Sequence, residues 1–101
     1  MSDENQVFVP SSFQDLYRDA RGRWLSPMSE VASRYELCED LAQHLCEPCR
    51  GVHIEIGADA IDVLERCLRG LEEAGSGVSA AEARWVVTRL AELLNWPAPP
   101  G

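Results

Sequence analysis

Ser79-Ala80-Ala81-Glu82, continuing into Ala83-Arg84-Trp85-Val86-Val87-Thr88-Arg89-Leu90-Ala91-Glu92-Leu93-Leu94, decides the fold class. A serine hydroxyl can accept from the N–H three residues on, and a glutamate there can reach back to the serine N–H. That reciprocal capping box starts a helix. Ala83, Val86, Val87, Leu90 and Leu94 then recur at helical spacing and define a core-facing arc. The spacing predicts a helix to about Asn95, followed by the non-helical tail Trp96-Pro97 and beyond.

Upstream, Asp59 can cap a helix whose stripe is Ile61, Leu64, Leu68 and Leu71, with Asp62 favourable in the first turn and Gly75 as a stop. The connection Ala74–Val78 is short, so these last two helices are expected as an antiparallel hairpin. A longer helix precedes them. Ser26 reads as its cap and Pro27 as its first residue, and Val31, Tyr35, Cys38, Ala42 and Leu45 fall in one arc. Pro48 should end it near Cys46 or Glu47. A short first helix is expected from Ser11 and Ser12 to about Arg21, where Gly22 stops it, with Phe13, Leu16, Tyr17 and Ala20 at helical spacing. Between Cys49 and Gly57, Val52, Ile54 and Ile56 alternate with His53 and Glu55 as a strand would, with only Val7–Val9 as a partner. Irregular structure is the favoured expectation there. The sum is an all-α fold: a single small domain of four helices over residues 10–95, an extended segment 1–9 before it and a Pro-rich tail 96–101 after it.

The chain has 101 residues, nine cations against 17 carboxylates, and a net charge of −8. An excess of acid does not suit a nucleic-acid phosphate backbone, so no nucleic-acid partner is expected. All nine cations are arginine. Without lysine there is no phosphate-loop lysine, Schiff-base lysine or lysine general base. The start of the chain lacks the cationic and apolar runs of a signal peptide, and no run of about 18 apolar residues offers a membrane span. A cytoplasmic protein with Cys38, Cys46, Cys49 and Cys67 as thiols is the expectation.

Several groupings invite a chemical reading. Cys46-Glu47-Pro48-Cys49 has a two-residue thiol gap with His44 and His53 nearby, so Cys46, Cys49 and His53 are the alternative metal ligands. Against this, His44 and Cys46 point about 200° apart on a helix, and a second ligand pair at standard spacing is missing. The thiol pair lies at a helix C-terminus beside Glu47, where dipole and carboxylate both disfavour a thiolate. Glu36, Glu39, Asp40 and Glu47 read as a solvated face, and Asp40 with His44 as a surface ion pair. Gly70 to Gly77 lacks the lysine of a phosphate cradle and carries Glu72 and Glu73. On the last helix, Trp85, Arg89 and Trp96 fall opposite the core arc by helical arithmetic. Two tryptophans flanking an arginine have the composition of an interface hot spot. Trp24 joins them as a fourth partner-binding candidate, and Leu37 and Val63 are weaker companions.

The stretches Arg34–Gln43, Asp62–Arg66 with Arg69–Leu71, and Val78–Trp85 with Arg89–Leu94 resemble a group of short, uncharacterised proteobacterial proteins, and Val7–Leu16 is similar too. Members sometimes carry the label "ATPase with chaperone activity". The resemblance implies a bacterial cytoplasmic protein. The residues here do not support the ATPase label, since no phosphate loop can be pointed to. The expectation is therefore a non-enzymatic interaction or regulatory module without a cofactor, whose partner is another protein, a second copy of the chain included. A metal- or thiol-responsive protein using Cys46 and Cys49 is the alternative.

Overall fold

The computed structural model describes residues 8–97. Residues 1–7 of the expected extended segment and 98–101 of the expected tail lie outside the described residues. The fold is all-α, with helices α1 (Ser11–Gln14), α2 (Met28–Ile56), α3 (Ala60–Glu72) and α4 (Ala80–Leu94). The second and fourth are the longest, as expected. Among the described residues none forms a named strand, and no helix is long and apolar enough to cross a membrane. Two units divide the chain, residues 1–37 and 38–101, and the division falls inside α2.

In the first unit, the opening helix is shorter than the sequence pattern predicts. Its N-cap is Pro10, whose carbonyl accepts from Phe13 and Gln14 at 3.0 Å, so neither Ser11 nor Ser12 caps it. It tightens into a 3₁₀ turn, Asp15–Tyr17, and stops there rather than at Arg21. The cause is Asp19. One carboxylate oxygen accepts from the N–H groups of Arg21 and Arg23, each at 2.9 Å, which offers the backbone an alternative to helix. Those bonds, the one from Arg23 first, hold the Asp19 carboxyl below its ordinary range. Gly22 takes φ +81°, and Arg18 and Trp24 close the turn as an antiparallel bridge, helped by Leu25 N–H donating to the Tyr17 carbonyl at 2.8 Å. Phe13 is fully buried, with its ring against Tyr17 and edge-on to Tyr35. α2 begins one residue later than expected: the Pro27 carbonyl accepts from Glu30 and Val31 at 3.0 Å, so Pro27 rather than Ser26 is the boundary residue.

In the second unit, α2 does not end before Pro48. It continues two further turns to Ile56, taking in the stretch expected to be irregular. Pro48 has no N–H for the His44 carbonyl, a loss that normally kinks or ends a helix. Packing outweighs it here. Cys49 is buried in a cluster with Val63 and Leu64 of α3 and Val87, Leu90 and Ala91 of α4, and Leu45, Cys46 and Val52 pack against that cluster. Each fully buried leucine of this kind contributes about 2 kcal/mol by removal from water. Gly57, at φ +77°, makes the turn into α3.

α3 and α4 pack as the expected hairpin, with Arg84 at the start of α4 reaching Glu72 at the end of α3. The buried face of α3 is rotated from the predicted stripe. Val63 is 5 % exposed and Ile61 40 %, so Val63 belongs to the core and Ile61 to the surface. The α4 arc is as read: Ala83, Val86, Val87 and Leu90 are buried, with Ala91 added. The capping box is complete, Glu82 N–H to Ser79 Oγ at 3.1 Å and Ser79 N–H to Glu82 Oε1 at 2.9 Å.

Candidate functional site

The sequence candidates separate into surface aromatic residues and thiols. Arg89 is the best-anchored of the first group. Its Nε and Nη2 donate to the two carboxylate oxygens of Glu39 on α2, at 2.9 and 3.1 Å, and Nη1 donates to Glu92 at 3.1 Å. Glu39 also accepts from Gln43 at 2.8 Å. This is a two-pronged, charge-assisted contact between two half-buried side chains. The Arg89 hydrogen bonds hold Glu39 below its ordinary range and raise Arg89 above its own. Glu39 therefore does not belong to the solvated acidic face. A partner 50 residues away leaves no trace in local spacing, which is why sequence reasoning missed it.

Trp85 lies one helical turn before Arg89 and is partly exposed. Trp96 is not its neighbour on that face. α4 ends at Leu94, Asn95 adopts the left-handed conformation at φ 61°, and the Trp96 N–H turns back to the Ala91 carbonyl at 2.8 Å. The indole then packs partly buried against the core cluster, 4.9 Å from the His53 ring. Extending helical angles past a left-handed cap misplaced it. Trp24, in the first unit, is 41 % exposed, with the Arg18 guanidinium stacked 4.1 Å over its ring. Leu37, proposed as a companion surface residue, is 40 % exposed, while Val63 is in the core.

Among the thiols, Cys46 and Cys49 share a helix, but their hydrogen bonds differ. The Cys46 thiol donates to the Ala42 carbonyl one turn back, at 3.4 Å. The Cys49 sulfur instead lies 3.2 Å from the sulfur of Cys67 on α3. His53 donates from Nδ1 to the Ala58 carbonyl at 2.7 Å, tying the end of α2 to the turn that follows. Among the described residues, no three His, Cys, Asp or Glu side chains are grouped to hold a metal ion. Nothing in the sequence spacing connects Cys67, on α3, to Cys49.

The acidic grouping Glu36, Asp40 and His44 is exposed. The His44 ring donates from Nδ1 to the Asp40 backbone carbonyl at 2.8 Å rather than pairing with its carboxylate. Neither a known protein family, nor a curated protein, nor a solved structure matches the chain.

Proposed function

We propose that this chain is a protein–protein interaction module that acts in the cytoplasm without catalysis of its own. The observation that carries the reading is the exposure of large apolar side chains where an ordered turn leads into α2: Trp24 at 41 %, Leu25 at 62 % and Met28 at 47 %, within five residues. Apolar side chains gathered in the open mark contact surfaces more often than scattered ones do. Asp19, Gly22 and the Arg18–Trp24 bridge fix the turn before any partner arrives, so less conformational entropy is lost on binding. Trp85, partly exposed on α4, is the second candidate contact. Trp24 is the most exposed of Trp24, Trp85, Arg89 and Trp96, so the binding role rests on it first. The net charge of −8 suits a basic partner.

Affinity capture with the full chain, alongside Trp24→Ala and Trp85→Ala, tests the reading, with sedimentation velocity to detect a second copy as the partner. A hot-spot tryptophan is expected to weaken the captured complex about 30-fold. A partner that binds both variants as tightly as the parent chain removes this surface from consideration.

A further inference from the structure

Cys49 and Cys67 are 18 positions apart, on different helices, and their sulfurs are 3.2 Å apart. Closing to a disulfide length needs about 1 Å more, within reach of small side-chain rotations. Cys49 is 4 % exposed and sits in the first turn after Pro48, while Cys67 is partly exposed at the edge of the same cluster. Cys46, the other candidate partner for Cys49, directs its thiol back to Ala42. The pair is thus chosen by tertiary packing rather than by the two-residue gap.

We propose that Cys49 and Cys67 form a reversible dithiol–disulfide couple, oxidised by hydrogen peroxide, that clamps the last two turns of α2 onto α3. Cys67 is the attacking thiol because it is the one solvent reaches. The hydrogen bond from the Cys49 thiol holds Cys67 below its ordinary range, and the same bond with burial raises Cys49. The Cys67 thiolate attacks one peroxide oxygen, the O–O bond breaks, and the departing hydroxide takes up a proton as water, leaving a sulfenic acid. The Cys49 sulfur then attacks the Cys67 sulfur. The S–O bond breaks, and the departing hydroxide leaves as water with the Cys49 proton. Two thiols and one peroxide become one disulfide and two waters, and two electrons pass from sulfur to oxygen. A small dithiol reverses it by exchange.

The clamp has a structural object. Past Pro48, α2 lacks one backbone hydrogen bond and is held by Cys49 and Val52 against the cluster. A covalent tie to α3 converts that packing contact into a fixed one, independently of the interaction surface proposed above.

The full chain, purified reduced and treated with equimolar peroxide, tests this by intact mass and tryptic mapping. Cleavage at arginine isolates Cys67 in the tripeptide Cys67–Arg69, while Cys38, Cys46 and Cys49 share peptide 35–50. The expected result is loss of two hydrogens, a joined pair of those peptides with fragmentation placing the bond at Cys49, and reversal by dithiothreitol. The melting temperature should rise by roughly 10 °C on oxidation. Cys38→Ser and Cys46→Ser should retain the cross-link, and Cys67→Ser should lose it. The wild-type map needs no variant to fold. A bond between Cys46 and Cys49, a disulfide-linked dimer, or oxygen adducts without a cross-link would overturn the proposal.

Discussion

α4 and the last two turns of α2 are both regular helix, yet only one of them could be read from its own residues. α4 carries redundant local instructions. Ser79 and Glu82 close its start, five apolar positions mark one face, and Asn95 reverses the chain at its end. The stretch from Cys49 to Ile56 carries contrary ones: a proline at its start and an alternating pattern in Val52, Ile54 and Ile56. It is helix because Cys49 and Val52 meet the α3–α4 hairpin. Local signals suffice where they agree; where they conflict, the neighbour with the most apolar area to bury decides.

Pro48 offers the sharpest way to break that comparison. If α2 runs through Pro48 on packing alone, Pro48→Ala restores a donor to the His44 carbonyl and removes a ring clash. Proline costs about 3 kcal/mol in a helix interior, less about 1 kcal/mol returned by its effect on the unfolded chain. A gain of about 2 kcal/mol, or roughly 10 °C in melting temperature, is expected in calorimetry. A helix that really stopped at Glu47 would gain nothing from the alanine.

Ser79→Ala tests the other side. Loss of the cap hydroxyl leaves the Glu82 N–H without its acceptor and should cost about 1 kcal/mol in denaturant unfolding. Ser79→Gly should cost only a few tenths of a kcal/mol. No loss from Ser79→Ala would mean that α4, too, is held by packing, and the contrast with α2 would dissolve.

The same division governs how much of the site was legible. The all-α class, the hairpin and the buried arc of α4 follow from patterns within about 16 residues of one another. The Asp19 turn was hidden because helical spacing at Phe13, Leu16, Tyr17 and Ala20 says nothing of a carboxylate that captures two N–H groups downstream. Helical angles do not carry beyond the left-handed Asn95, so they do not locate Trp96. Cys49 with Cys67, and Arg89 with Glu39, join separate helices, and no period along a chain encodes which of two cysteines or which of several glutamates will be met. Trp24 stands out by its residue type, whereas nothing in local spacing marks Arg18 as the arginine that stacks on it.

The Arg89–Glu39 contact gives the smallest effect and bears on the interaction surface itself. The folded Glu39 carboxyl titrates below its ordinary 4.5, with the Arg89 hydrogen bond as the main cause. The folded state therefore binds that proton less readily than the unfolded chain does. Stability from the pair is fully present above pH 4.5 and is lost as pH falls through the lowered value. Glu39→Gln keeps the shape and removes the charge, so it should be less stable than the parent at neutral pH by about 1 kcal/mol or less. The gap should narrow as pH drops below 4.5, because the parent then loses the same charge. Urea midpoints taken across that range measure it. A gap that is absent at neutral pH would mean the guanidinium is not committed to Glu39, and Arg89 would then be held by Glu92 alone.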